Sequence, residues 1–223
     1  MRVLSSLAIK EAYLELVPAF QAKTGSKVDT EWLGMVDIMK RVKAGESADM
    51  VIASQKALAE LKSLGKVSVV VDLARSGVAV AVKKGAKRPD IGSAESVKRA
   101  LRAAKSIAYS SGPSGVYLIE LFQKWGIADE LKPKSTQTPP GTAVGPLVAR
   151  GEAEIGFQQM SELLPFAAGV DIVGPLPAEI QIMTTFSGGV HVAASQGDAA
   201  RAWLDFLASS AAVLRKHGME SAK

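Results

Sequence analysis

The spacing of apolar residues changes period several times along the chain, and each change marks an element. "RVLSS" (2–6) reads as a strand. From Ala8 to Ala22 the apolar positions Ile9, Tyr13, Leu16, Val17 and Phe20 recur at three and four, which is one face of a helix. Pro18 predicts a bend or a local end to that helix, and Gly25 a C-terminal stop. "KVDTEWL" (27–33) predicts the next strand, and 35–45 a helix closed by Gly45. "DMVIAS" (49–54) is nearly continuous apolar, the pattern of a strand covered on both faces, and 56–65 is a third helix.

A fresh block opens with "GVAVAVKKG" (77–85) as a strand. Helices follow over 93–105, with Ser93 or Ser96 as cap, over 116–126, and, shorter, over 141–152. Strands are predicted at 106–111 and 153–159, with extended chain over 171–177 and 180–195. The chain closes with one long amphipathic helix over 198–218. Strand–helix–strand alternation implies a mostly parallel sheet flanked by helices, here as an α/β fold of two lobes.

Two of these strand-to-helix passages carry consecutive serines: Ser5 and Ser6 in the first, and Ser110, Ser111 and Ser114 in "YSSGPSGVY". A helix N-terminus offers unpaired N–H groups and a positive dipole end, so it receives anions, and a serine hydroxyl adds a donor. Gly112 and Gly115 let the backbone approach a ligand closely. Serine is also a common N-cap, which is the purely structural reading of the same residues.

Composition narrows the choice. Hydrophobic residues make up 48% and charged residues 22%, with a net charge of +5, the profile of a globular chain. Lys and Arg are scattered rather than clustered, and 5% aromatics supply no stacking platform, so nucleic acid is not the expected partner. The chain has no cysteine, which excludes disulfides, thiolate metal sites and cysteine nucleophiles. The start "MRVLSSLAIKEA" has no apolar signal core; the protein stays inside the cell, or the chain is a mature form with a replacement Met1.

The stretches "SSLAIKEAYLELVPAFQAKTGSKV", "KRVKAGESADMVIAS", "GPSGVYLIELFQKWGIADEL" and "LVARGEAEIGF" follow one another in the order seen in type II periplasmic binding proteins. The chain most resembles the molybdate-binding branch of these solute receptors of ABC transporters. The resemblance implies lobe I at 1–76 plus 190–223, lobe II at 77–189, crossover hinges near 75–79 and 187–191, and a ligand held between the lobes. It implies a small anionic solute, a membrane permease as partner, a monomer, a periplasmic location and no cofactor. Ser187, Gly188 and Gly189 read as hinge residues in that scheme.

Carried over position by position, Ser6 matches the family's first oxyanion-binding serine, with Ser5 beside it. Ser114 and Gly115 match a backbone donor turn, with Ser111 beside it, and Gly141 with Thr142 match another. Two departures stand out. Gly34, Met35 and Val36 occupy the place of a serine-rich turn, and Phe157, Gln158 and Gln159 the place of a tyrosine. A carboxamide both donates and accepts, so the pocket is expected to suit a small organic acid better than a fully ionised oxyanion. Trp32, Met35 and Phe157 are candidate apolar lining, and Arg75 a candidate partner for a carboxylate.

Neither His191 nor His217 lies in a metal-ligand or nucleophile–base spacing, and phosphate-loop and dinucleotide motifs are absent. The expectation is a binding protein with no catalytic residue and no metal. The alternatives are the effector domain of a LysR-type transcription regulator, which shares the two-lobe architecture, and a transferase of related fold.

Overall fold

In the computed structural model, which describes residues 1–222, the first strand β1 (Arg2–Ser6) leads through a 3-10 turn at Leu7–Ile9 into helix α1 (Lys10–Thr24). Strand β2 (Asp29–Leu33) and helix α2 (Met35–Lys43) follow, then β3 (Met50–Ser54) and α3 (Gln55–Ser63). β1 pairs parallel with both β2 and β3; Ser6 lies opposite Leu33, and Ser5 opposite Trp32 and Ile52. The carboxyl ends of three strands therefore share one edge. Arg41 of α2 bonds Glu31 of β2 and Glu46, which holds α2 against β2.

Helix α1 continues through Pro18, against the predicted local end. Leu14, whose carbonyl loses its bond to the proline nitrogen, is exposed, as is Pro18, so the defect faces water. Gly25 ends the helix as predicted, at φ 71° with its N–H on the Gln21 carbonyl.

Strand β4 (Val67–Lys83) is 17 residues long and has no counterpart in the predicted pattern before residue 77. Asp72, Arg75 and Gly77 interrupt its apolar run. The chain divides into two units, Met1–Ser76 with the chain from Thr184 onward, and Gly77–Met183, and β4 passes from the first to the second.

The second unit continues with α4 (Ala94–Ala103), β5 (Ile107–Tyr109), α5 (Pro113–Lys124), α6 (Ala128–Leu131) and β6 (Ser135–Gln137). Then come α7 (Gly145–Arg150), β7 (Ile155–Gln159), α8 (Met160–Leu163) and β8 (Val170–Pro175). Of the two cap candidates Ser93 caps α4, accepting from the Ser96 N–H. β5 is parallel to β6 and β7, with Tyr109 opposite Gln137 and Phe157; β4 is antiparallel to β7 and β8. Val78, Val80, Leu118, Phe122 and Phe157 fill one face of this sheet, and Ala79, Ala81, Val144, Val148 and Leu163 the other.

The chain returns to the first unit through β9 (Met183–His191), antiparallel to β3, and ends with α9 (Gly197–Ser209), α10 (Ala211–Lys216) and β10 (Glu220–Ser221) on β4. The long helix predicted over 198–218 is two helices. The hydroxyls of Ser209 and Ser210 both bond the Phe206 carbonyl, and Ser210 leaves the helical region at ψ 45°. Gly188 and Gly189 lie inside β9 opposite Ile52 and Val51, where a Cβ at Gly188 would run into Leu204. The smallness of Gly188 serves close packing of α9 on the sheet, and that of Gly189 close packing against Val67 of β4.

Trp203 of α9 is fully buried, edge-on to Tyr13 at 4.9 Å and against Phe20 at 4.7 Å. Trp203→Ala is expected to remove about 3–5 kcal/mol of stability, read as a lower urea midpoint. His191 is buried, and its Nδ1 accepts the Ala193 N–H, so the ring is neutral; burial, then Lys66, hold its pKa below the usual 6.5. A group with a lowered folded pKa contributes stability above its unfolded value and loses it as pH falls. His191→Gln is expected to flatten the loss of thermal stability just below pH 6.5, measured by melting at a series of pH values.

Candidate functional site

In parallel α/β sheets, ligands meet the carboxyl ends of the strands, and each unit gathers its polar loops there. In the first unit the Ser5 hydroxyl donates to the Ser6 carbonyl at 3.2 Å. The Ser6 Oγ accepts the Ala8 N–H at 3.4 Å, which leaves its own proton to give. Beside it, α2 starts at Gly34 with no side chain capping its N–H groups, whereas α3 is capped by Ser54. The missing serine thus exposes donors rather than removing them. Val36 is exposed and Met35 half-buried on the same turn.

Lys10, one turn beyond β1, lies over the Trp32 ring at 5.9 Å from its centre, and Trp32 is the register partner of Ser5. The sequence reading missed this cation, although it follows Ser6 at the helical spacing of four. Trp32 itself is half-buried against Tyr13, edge-on at 5.1 Å.

In the second unit β5 ends in the Ser110–Gly115 turn. The buried Ser110 and Ser114 hydroxyls bond each other at 3.0 Å, and the Ser110 Oγ accepts the Gly112 N–H at 3.3 Å. Helix α5 also begins on a glycine, Gly112, without a side-chain cap. Ser111 is half-buried and bonds no other side chain among the described residues; Val116, on the same turn, is exposed. A Cβ at Gly115 would collide with the Ser110 carbonyl, so the turn requires glycine there.

The turn after β6 is tied to β5 by the Thr138 N–H on the Tyr109 carbonyl at 2.9 Å. Within it Gly141, at φ 74°, and Thr142 are exposed. The Thr142 N–H bonds Pro139, and its carbonyl accepts from the Thr138 hydroxyl. Gln158 is buried with both ends of its carboxamide in use: Oε1 accepts the Val144 N–H at 2.8 Å, and Nε2 donates to Glu162 at 3.0 Å. Gln159 is fully buried at the end of β7, and Phe157 lies in the core. Arg75 is exposed on β4 and bonds Glu220 at 3.2 Å.

Comparison with known proteins adds what geometry alone does not. The bacterial extracellular solute-binding protein profile matches residues 1–220. The chain belongs to that family. An aconitate isomerase from a Pseudomonas species is 40% identical over 217 residues, covering 94% of this chain and 82% of that protein. The periplasmic molybdate-binding protein of Azotobacter vinelandii superposes with a TM-score of 0.81 at 16% identity, covering 100% of both chains. The sulfate-binding protein SubI of Mycobacterium tuberculosis superposes with a TM-score of 0.79 at 16% identity, covering 100% of this chain and 87% of that one. The fold is that of the two-lobe periplasmic binding proteins.

The expectation that the chain is not an enzyme is overturned by the relative named as an isomerase. The sequence search looked for carboxylate pairs, nucleophile–base pairs and metal clusters. An isomerase transfers no group to water or to a second substrate, so such constellations are not a requirement of the class.

Ser114→Ala is expected to cost about 1 kcal/mol through the lost hydroxyl pair. Gly115→Ala should cost about 2–3 kcal/mol by forcing the Ser110 carbonyl aside. Thermal denaturation of the two variants side by side checks the order.

Proposed function

We propose that this protein binds a small polycarboxylate of the aconitate class and interconverts its geometric isomers. The observation that carries the reading is the 40% identity to an aconitate isomerase over nearly the whole chain. The site chemistry supports it. Aconitate is a short hydrocarbon bearing three carboxylates, so it needs donors interleaved with apolar surface. The first unit offers Ser6, the uncapped start of α2 and Lys10 beside exposed Val36; the second offers Ser111 and the uncapped start of α5 beside exposed Val116. A tetrahedral oxyanion would have no use for the two valines.

In this reading the protein works outside the cytoplasm, as its family's description implies. Capture of the same acid for delivery to a membrane permease is the second reading, supported by the likeness to the molybdate- and sulfate-binding folds.

The test combines binding and turnover. Melting with molybdate, tungstate, sulfate, citrate, succinate and both aconitates should show a rise only with the polycarboxylates, since ligand at a hundred times Kd adds about 2.7 kcal/mol. Proton NMR of either aconitate with the protein should then show the other isomer growing in. A rise with molybdate alone and no turnover would overturn the proposal. Lys10→Met and Ser6→Ala are each expected to weaken aconitate binding by about tenfold or more, as hydrogen bonds to charged groups are worth about 1.5–3 kcal/mol; isothermal titration checks this.

A further inference from the structure

We infer that Glu162, held by Gln158, carries the proton in the isomerisation; the inference rests on the aconitate reading above. Glu162 lies in α8, three residues beyond the end of β7, at the edge that also presents the Ser110–Gly115 turn, because Tyr109 and Phe157 are paired. Its carboxyl accepts one bond, from Gln158, and Gln158 is fixed in turn by the Val144 N–H. Helix α8 packs on β7 and on Leu164–Phe166, and neither contributes a charged or titratable side chain. No cation pairs with Glu162 among the described residues. Glu162 is half-buried, and a carboxyl taken partly out of water with no cation beside it weakens the fold relative to an apolar residue of its size, so its presence points to chemistry. Burial pushes its pKa up to about 7, and the Gln158 bond restrains the rise, which poises it to accept and return a proton at neutral pH.

The reaction asks for one such group. The ionised Glu162 removes a proton from the methylene carbon of aconitate. The C–H electron pair joins the adjacent double bond, and the charge spreads over the three-carbon unit and its carboxylates. The carboxyl then returns the proton to the former vinyl carbon, and the double bond has moved by one position. The two ends of the molecule have exchanged roles, so the product is again aconitate, with its geometry set by the conformation at the moment of reprotonation. One proton leaves and one returns, with no oxidant or reductant. The alternative of reversible thiol addition is closed to a chain without cysteine.

The experiment follows isomerisation and uptake of solvent deuterium by proton NMR in wild type, Glu162→Gln, Glu162→Asp and Gln158→Leu, across pH values spanning neutrality. In the wild type kcat/KM should rise with pH through about 7 as the carboxylate forms. Glu162→Gln should lose both isomerisation and exchange by about 100-fold or more while keeping its aconitate-induced rise in melting temperature. Glu162→Asp should keep part of the rate with a pH-dependent limb. Gln158→Leu should move that limb to higher pH, since its bond holds the pKa down. Should Glu162→Gln fail to fold, Glu162→Asp and the displaced limb of Gln158→Leu decide. Wild-type turnover retained in Glu162→Gln would overturn this inference and leave the aconitate reading standing. A wild type that neither isomerises nor exchanges would overturn both.

Discussion

In each unit three strands run parallel and in register, β1 to β3 in the first and β5 to β7 in the second, so their carboxyl ends and the loops that follow them arrive at one edge. Ser6 stands beside Leu33 in the first unit, and Tyr109 beside Gln137 and Phe157 in the second. Parallel pairing needs a long crossover, usually helical, and a helix that starts at that edge leaves its first N–H groups without partners inside the helix. The polar character of the two edges is thus a by-product of the topology. What the individual residues decide is which helix starts are covered. Ser54 and Ser93 cover theirs, while Gly34 and Gly112 do not.

The apolar cores fix these edges in place. Tyr13, Phe20 and Trp203 interlock α1 and α9 over the first sheet, and Gly188 of β9 lets α9 approach closely. In the second unit Gly156 plays the same part, since a Cβ there would strike Val144 and Val148. Val144 is also the residue whose N–H anchors Gln158. Core packing and the orientation of a polar side chain are therefore one problem at this point, and a disturbance of the first reaches the second.

Much of the fold was legible because the period of the apolar pattern changes cleanly at β2, β3, β7 and the helices between. The first part of β4 was not, because Asp72 and Arg75 break its run while the sheet still covers it. The break at Ser210 was hidden as well. The apolar face continues across it, and only the hydroxyl bonds to Phe206 reveal the turn. At the site, the serine turns and the absence of a serine at Gly34 could be read directly. The fate of Gln158 could not, since both its partners are reached through tertiary packing, and Glu162 carries no signal until its burial is seen.

The half-buried carboxyl of Glu162 also shapes how the protein responds to acid. Several carboxylates are held below their usual range by bonded cations or N–H groups: Glu46 by Arg41 and Arg2, Asp171 by Lys84 and the Gly85 N–H. Such groups make the folded state less tolerant of protons. Glu162 works in the opposite sense. It keeps its proton in the folded chain up to about 7 and releases it near 4.5 once unfolded, so across that interval its share of stability falls as pH rises. A mildly acidic medium therefore strengthens the fold at this residue.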